Sequence, residues 1–455
     1  MRNILIIGAG RSATCLIRYL LAKSSSEKLF ITIGDISLDA AQKFTKNHAN
    51  AKGTLLDVFN KEEREEAVKN CDIVISMLPA RFHIEVAKDC IKFGKNLVTA
   101  SYISDEMQNL DEEAKAKGLV FMNEIGVDPG IDHMSAMKVI DGIRDKGGKL
   151  LLFESFTGGL VAPESDDNLW NYKFTWNPRN VVLAGQGGAA EFLQEGQYKY
   201  IPYNRLFRRT ELIKIDGQGK FEVYANRNSL KYHDVYGFKD ILTLYRGTIR
   251  RVGFSRAWNI FVQLGMTEDG YTIPNSENLT YRNYVNLFLP YSPTDSVELK
   301  FRHSLKIDQD DLIWEKLEEL DIFNGEKKLG IKNATPAQAL QKILMDKWTL
   351  AEDDKDMIVM YHKFGYELDG ETYQIDSSMV TIGEDQTYTA MAKTVGLPVA
   401  IASLKILNKE ISTPGVLRPI AKEVYEPILE ELETYGIYFK EEKKEYLGYN
   451  PDNLD

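Results

Sequence analysis

The stretch from residue 4 to residue 20 constrains the fold of this chain more than any other. Residues 4–7 are wholly apolar, Gly8-Ala9-Gly10-Arg11-Ser12-Ala13 follows at once, and Cys15, Leu16, Tyr19 and Leu20 then recur at helical spacing. Strand, glycine turn and helix in that order open a nucleotide-binding sheet. Gly8 permits the tight turn, Gly10 lets the backbone approach a pyrophosphate, and Ala13 is small enough for helix to pack on strand. The helix amino terminus then faces the anion.

A glycine turn alone is weak evidence, so the context has to carry the assignment. Residues 29–33 form a second strand ending in Gly34-Asp35, which places a carboxylate where a ribose hydroxyl is held and favours NAD over NADP. The structural alternative for Asp35 is capping of the helix that begins near Ser37. Further apolar runs at residues 53–58, 72–77, 96–100 and 119–122, most of them separated by helix-like segments, bring the expectation to six strands in a doubly wound parallel sheet. Asp57 and Val58 then sit near an adenine, and Ser76-Met77-Leu78-Pro79 ends the strand after which the order switches. Thr99-Ala100-Ser101-Tyr102 closes the next strand with hydroxyls at the ligand end of the sheet, although Ser101 could instead cap the following helix.

Composition removes several classes of function. With 44% hydrophobic residues in 455, the chain is long enough for two or three domains with buried cores. Its net charge of -11 argues against broad binding to nucleic acid or anionic membranes. Cys15, Cys71 and Cys90 lack paired or metal-ligand spacing, and each lies in or beside an apolar segment, as in a reduced cytoplasmic protein. The six histidines show no ligand spacing either, so no metal is expected. The apolar start is too short for a signal peptide and runs into the glycine turn, and no segment is expected to span a membrane.

The strand–helix rhythm stops at Asn123-Glu124-Ile125-Gly126-Val127-Asp128-Pro129-Gly130-Ile131-Asp132-His133. This loop leaves the last strand of one domain and opens the first helix of the next, which makes it the place to look for chemistry. Asp128 could hold an amine or accept a proton, or could simply open a turn before Pro129-Gly130. Asp132 reads as a helix cap, which gives His133 a structural role as an alternative to a ligand contact.

These residues, with Thr99-Ala100-Ser101-Tyr102-Ile103, resemble the saccharopine reductases, the glutamate-forming saccharopine dehydrogenases of lysine metabolism. Similar blocks follow in family order: Gly158-Gly159-Leu160-Val161-Ala162-Pro163-Glu164, Tyr172-Lys173-Phe174-Thr175-Trp176, Asn226-Arg227-Asn228-Ser229, Arg246-Gly247-Thr248-Ile249-Arg250, Lys355-Asp356-Met357-Ile358-Val359-Met360 and Met391-Ala392-Lys393-Thr394-Val395-Gly396-Leu397-Pro398. Departures are Val161 in place of proline, Ala13 in place of the third glycine, and a poor match over residues 193–220. NADP-using members tend to carry an arginine just after the second strand, where this chain has Ile36-Ser37.

The resemblance implies a cofactor set of Gly8, Gly10, Arg11, Ser12, Ala13, Asp35, Asp57, Val58, Ser76, Leu78, Ser101, Val127, Asp128, His133 and Phe174, and NAD as cofactor with NADP possible. It implies a substrate set of Ser101, Tyr102, Asp128, Arg227, Gly247, Thr248 and Ile249, with Asp128 and Tyr102 as candidate catalytic groups. Arg227 suits a substrate carboxylate because a guanidinium engages both oxygens; a surface ion pair is its ordinary fate. Arg250 and Arg251 alternate on a strand, so one of them should face solvent. Phe174 lines the nicotinamide pocket by resemblance, although aromatics in such runs are usually core.

Beyond residue 149, strands are expected at residues 149–157, 181–183, 213–215, 221–224, 248–252 and 358–364, with a glycine turn at 156–160. Residues 388–407 read as an apolar helix interrupted at Gly396-Leu397-Pro398, residues 412–419 as a turn, and residues 426–433 as a surface helix with Pro427 in its first turn. The expected architecture is α/β: a Rossmann domain (1–130 plus 382–455), an α+β substrate and dimerisation domain (131–275 plus 350–381) and a helical insertion (276–349). The expected protein is a cytoplasmic, homodimeric oxidoreductase acting on saccharopine. Alternatives are an imine reductase like carboxynorspermidine dehydrogenase, or an inactive nucleotide-binding regulator.

Overall fold

The computed structural model describes residues 1–446. It divides into two compact units, Met1–Lys149 with Met379–Lys440, and Leu150–Ser378 with the described residues from Glu441 onward. The helix Ile131–Arg144, expected to open the second domain, therefore stays with the first unit, and the strand Lys440–Glu445 falls largely to the second.

The first unit is built on β1 (Arg2–Ile7), β2 (Leu29–Asp35), β3 (Ala51–Leu55), β4 (Ile73–Ser76), β5 (Asn96–Val98) and β6 (Val120–Met122). A further strand, Gly415–Leu417, pairs with β6, and the order across the sheet runs from it through β6, β5, β4, β1 and β2 to β3. Every pair is parallel. A parallel sheet is covered on both faces, which explains why residues 4–7 can be apolar throughout: all four are buried, each contributing roughly 1.5–3 kcal/mol. The order reverses beside β1, between β2 and β4, and a ligand crevice belongs at the carboxyl ends of those strands.

The return leg of this unit departs from several expectations. Residues 412–419 are not merely a turn, because Gly415–Leu417 supplies a seventh strand; three residues between Pro414 and Pro419 carry too little pattern to announce one. The helix Ala390–Leu407 is continuous through Pro398. A side chain at Gly396 would bring a Cβ within 2.8 Å of the Leu16 backbone nitrogen, so this glycine permits close packing on the helix Thr14–Lys23 and is no break. The helix Ala390–Leu407 is also long and apolar enough to cross a membrane, contrary to expectation, but 78% of it is buried inside the fold. The helix Lys422–Thr434 starts earlier than expected, so Pro427 lies in its interior. It is a packing helix as well, burying Val424, Tyr425, Ile428, Leu429 and Leu432, with the Tyr425 hydroxyl donating to Asp141 at 2.8 Å.

The second unit holds a nine-stranded mixed sheet. Its strands are β7 (Lys149–Val161), β8 (Ala190–Gln194), β9 (Gln197–Ile201), β10 (Thr210–Ile215), β11 (Gly219–Ala225), β12 (Thr243–Arg251), β13 (Asp356–Leu368) and β14 (Glu371–Ile382), with Lys440–Glu445 at the far edge. β12 runs parallel to β7 and antiparallel to β11 and β8. Strand β7 continues through the expected glycine turn at 156–160, since Gly158 leaves room for Ile249, whose carbonyl oxygen would lie 2.5 Å from an added Cβ. Residues 181–183 are not a strand: Asn177 caps a short helix, Pro178–Val182, with Pro178 in its first turn. Between residues 276 and 349 the chain is helical, including Leu312–Glu319 and the boxed helix Pro336–Trp348.

Candidate active site

The glycine turn has the geometry an anion-binding loop needs. Gly8 adopts φ 102°, and a Cβ there would lie 2.9 Å from the Met77 carbonyl oxygen, so no larger residue fits. At Gly10 the space outside the chain is open, with nothing within 4 Å of an added Cβ. Arg11 is exposed and Ser12 half-buried, while Ala13 is buried under the helix. An open backbone cradle at a helix start fits the pyrophosphate of a nicotinamide dinucleotide.

Asp35 does not cap the helix Leu38–Gln42; Ser37 does, accepting from the Ala40 N–H. The Asp35 carboxylate accepts from the Ala9 N–H at 2.8 Å and the Ser37 N–H at 2.9 Å. It thereby ties the glycine turn to the end of β2, and each oxygen keeps a lone pair for a further donor. Asp57 and Val58 are half-buried past β3, with Asp57 accepting from the Phe59 N–H at 2.9 Å. Leu78 is half-buried against the core cluster under β4.

Glu124 organises the loop that follows β6. Its carboxylate is buried and holds three elements: one oxygen accepts from the Ile103 N–H (3.1 Å) and Arg418 Nε (2.9 Å), and the other lies 3.0 Å from His133 Nε2. Burial alone would raise this carboxyl, but the hydrogen bond to His133 and the charges of His133 and Arg418 more than offset it, holding it below the usual range. The His133 ring is fully buried in this arrangement, which corrects its assignment as a cofactor contact: it supports the loop.

The loop then turns back on itself. Gly126 N–H donates to the Pro129 carbonyl at 2.8 Å, Ile131 N–H to the Gly126 carbonyl at 2.9 Å, and Asp132 accepts from the Gly130 N–H at 2.6 Å. A Cβ on Gly130 would come within 2.1 Å of the Gly126 oxygen, so the turn requires glycine there. The Asp128–Pro129 peptide bond is cis, Val127 is buried, and Asp128 is left half-buried, accepting from the Tyr102 hydroxyl at 2.9 Å. Tyr102 itself is exposed. A phenol bonded to a carboxylate at the ligand end of a parallel sheet can bind an amine and move a proton.

Ser101 lies one residue before this pair and does not cap a helix; Ser104 takes that role for Asp105–Gln108. Its hydroxyl is instead 2.7 Å from His83 Nε2, while His83 Nδ1 is 2.8 Å from the Ser76 hydroxyl. Ser76 is fully buried, so its side chain supports His83 and is not offered to a cofactor, a second correction. Burial pushes the His83 imidazole down to about 4 from 6.5, so it is neutral at physiological pH. The unfolded chain therefore binds more protons below pH 6.5, and His83 is expected to take away stability progressively as pH falls from 6.5 to about 4, by about 3 kcal/mol at the lower end. Chemical denaturation at pH 7 and pH 5 checks this against His83→Gln, whose pH slope over that interval is expected to be shallower.

In the second unit, Arg227 follows β11 in an exposed loop with φ 38°, a conformation that costs a residue with a side chain. The loop is fixed from behind: the Arg227 carbonyl accepts from the Glu191 N–H at 2.7 Å, and Asn228 donates to the Glu191 carboxylate at 2.7 Å. The Arg227 guanidinium itself has no hydrogen bond or ion pair among the described residues. Gly247 lies opposite Ala225 and Phe156, and Thr248 beside it is half-buried. A Cβ at Gly247 would meet Val223 at 2.5 Å, and the Ile249 side chain is buried, leaving only backbone to offer at these two positions. Arg250 is buried among the rings of Tyr172, Tyr224 and Phe254, while Arg251 lies over Phe221, as strand alternation requires. Phe174 is buried against Tyr172 and Trp348, so it belongs to the aromatic core and not to a nicotinamide pocket. Among the described residues no group of three or more His, Cys, Asp or Glu is placed to hold a metal ion.

The residues that sequence reasoning missed are His83, Glu124 and Arg418. His83 carried one signal, its place at the first turn after a strand ending in serine; Arg418 carried none, being 294 residues from its partner.

A doubly wound parallel sheet with a glycine turn, and a second unit presenting an arginine with no partner among the described residues, define the class of dinucleotide-dependent dehydrogenases with a separate substrate unit. More particularly, the chain belongs to the saccharopine dehydrogenase family. Residues 4–122 match the saccharopine dehydrogenase NADP binding domain and residues 126–437 the saccharopine dehydrogenase C-terminal domain. The saccharopine dehydrogenase (NADP(+), L-glutamate-forming) of Saccharomyces cerevisiae is 34% identical over 97% of this chain and 99% of its own. The mitochondrial alpha-aminoadipic semialdehyde synthase of Rattus norvegicus is also 34% identical over 96% of this chain, which spans only 47% of that larger protein. Among solved structures, the apo saccharopine dehydrogenase (L-Glu forming) from Saccharomyces cerevisiae superposes with a TM-score of 0.88 at 33% identity, covering 98% of this chain and all of that one. A homospermidine synthase from Legionella pneumophila, at 11% identity and a TM-score of 0.53 over the whole of this chain and 93% of its own, shares the fold alone.

Proposed function

We propose that this chain interconverts saccharopine with L-glutamate and L-2-aminoadipate 6-semialdehyde, and that NAD is its preferred nucleotide. Saccharopine oxidoreductase activity in lysine metabolism follows from full-length similarity to enzymes bearing that name. The observation that carries the residue assignment is the Tyr102–Asp128 hydrogen bond at the ligand end of the sheet.

Saccharopine joins lysine and glutamate through a secondary amine and bears three carboxylates. Oxidation removes a hydride from the lysine-side carbon next to the bridging nitrogen and a proton from that nitrogen, giving an imine. Water adds to the imine carbon, the carbon–nitrogen bond breaks, and glutamate leaves with the nitrogen. The nicotinamide, when bound, accepts the hydride. The chain supplies the rest. Asp128 holds the amine or takes its proton, with Tyr102 fixing the carboxylate by its hydrogen bond. Arg227 grips a carboxylate through two parallel hydrogen bonds, and Thr248 with the backbone of Gly247 and Ile249 offers further contacts to the same ligand.

Asp35 supports the preference for NAD, although the yeast relatives carry NADP in their names. A carboxylate at the end of β2 can accept from a ribose hydroxyl but repels a 2′-phosphate, and the adjacent Ile36 and Ser37 provide no cation. Initial rates with saccharopine are expected to give NAD about a tenfold advantage in kcat/KM, and Asp35→Ala should remove most of it. A wild-type enzyme that favours NADP would sink the nucleotide half of the proposal. The same reading includes a homodimer and a cytoplasmic location. The first is supported by β10 as an end strand with Leu212 exposed, the second by three buried free cysteines.

A further inference from the structure

Four residues from three places in the chain meet at the ligand end of the first sheet. Ser76 ends β4, His83 opens the helix His83–Phe93, and Thr99 and Ser101 follow β5. His83 Nδ1 lies 2.8 Å from Ser76 Oγ, and Nε2 lies 2.7 Å from Ser101 Oγ and 3.2 Å from Thr99 Oγ1. Burial is graded along this line: Ser76, His83 and Thr99 are buried, and Ser101 is half-exposed. Among the described residues His83 hydrogen-bonds only hydroxyl groups.

The protons can be placed by accounting for donors. A neutral imidazole has one donor and one acceptor. If the Ser76 hydroxyl donates to Nδ1, then Nε2 carries the proton and donates it to Ser101 Oγ, the nearer of its two neighbours. Ser101 keeps its own proton for a ligand. The opposite tautomer would leave the fully buried Ser76 proton without an acceptor, whereas Thr99, the more distant neighbour of Nε2, has its oxygen held by the Ser101 backbone N–H at 3.3 Å.

We propose that His83 is a positioning residue, which through Ser76 fixes Ser101 as an outward hydrogen-bond donor to an oxygen of the bound ligand. That oxygen is a substrate carboxylate or the nicotinamide carboxamide, chemically equivalent acceptors from two sources. The proposal rests on the saccharopine dehydrogenase reading and adds a residue to its site.

The test compares His83→Asn with His83→Gln in the full-length enzyme, because the glutamine amide nitrogen reaches the place of Nε2 and the asparagine amide reaches only that of Nδ1. His83→Asn is expected to lower kcat/KM for saccharopine about tenfold, the loss of one hydrogen bond, and to match Ser101→Ala. His83→Gln should stay within about threefold of wild type, and adding Ser101→Ala to His83→Asn should cost little more. A raised KM for saccharopine would place the Ser101 bond on the substrate, and a weaker nucleotide Kd would place it on the cofactor. Equal losses in Asn and Gln variants, or losses that multiply with Ser101→Ala, would overturn the proposal. Where His83→Asn does not fold, Ser76→Ala replaces it: releasing the tautomer should lower kcat/KM a few-fold, and unchanged kinetics would count against the mechanism. If wild type does not turn over saccharopine, the function falls separately, and nucleotide affinity still judges His83. Parallel weakening by His83→Asn and Ser101→Ala upholds it, whereas weakening by Ser101→Ala alone overturns it.

Discussion

Arg227→Ala is expected to raise the KM for saccharopine about a hundredfold while leaving the nucleotide Kd unchanged. Two charge-assisted hydrogen bonds to one carboxylate are lost together, and each is worth up to about 1.5–3 kcal/mol when the partner is charged. The structure argues for so large an effect because no described residue engages the end of this side chain. Its guanidinium is exposed with no partner among the described residues, yet its backbone is held at φ 38° by the bond from Glu191. Strain of this kind, on the order of 1–3 kcal/mol, survives only where the surroundings impose it. Arg227→Lys restores the charge without the fork, so it should recover only part of the loss. Steady-state kinetics with both variants decides the matter, and an unchanged KM in Arg227→Ala would remove the carboxylate role.

Glu124→Ala should produce the largest loss of stability. The substitution deletes one carboxylate from a buried cluster and leaves Arg418 and His133 without it, a change that costs about 3–5 kcal/mol in buried ion pairs. For a unit of this size that corresponds to a fall in Tm of roughly 10 °C. Activity should fall too, because Glu124 ties residue 103, the return strand and the helix carrying His133 to the loop that presents Asp128. Glu124→Gln keeps acceptors without the charge and should lie between. A melt within about 2 °C of wild type for Glu124→Ala would mean that the cluster does not brace the loop.

How much of this could be read from the chain alone varies with the range of the interactions. The six alternating strands, the glycine turn and the carboxylate at Asp35 are local patterns, and the sheet follows from them with shifts of one to three residues at the ends. Arg227 and the loop at Asp128 were visible through resemblance. What stayed hidden depends on distant partners. Gly396 looks like a helix breaker until Leu16 is seen against it, and Gly415–Leu417 becomes a strand only beside β6. The family blocks place His133 and Phe174 at ligands, whereas burial against Glu124 and Trp348 gives both a supporting role. The reverse holds for His83: no motif marks it, and its meaning comes from hydroxyls supplied by three strand-end positions.

Every residue role above depends on cleavage of saccharopine on the lysine side of its bridging nitrogen. The most direct test follows absorbance of reduced nicotinamide when purified protein meets saccharopine and NAD, then NADP, and identifies the amino acid released. One glutamate per reduced nucleotide, with an aldehyde as the other product, is the predicted result. Release of lysine with 2-oxoglutarate, or no reduction with either nucleotide, would contradict it.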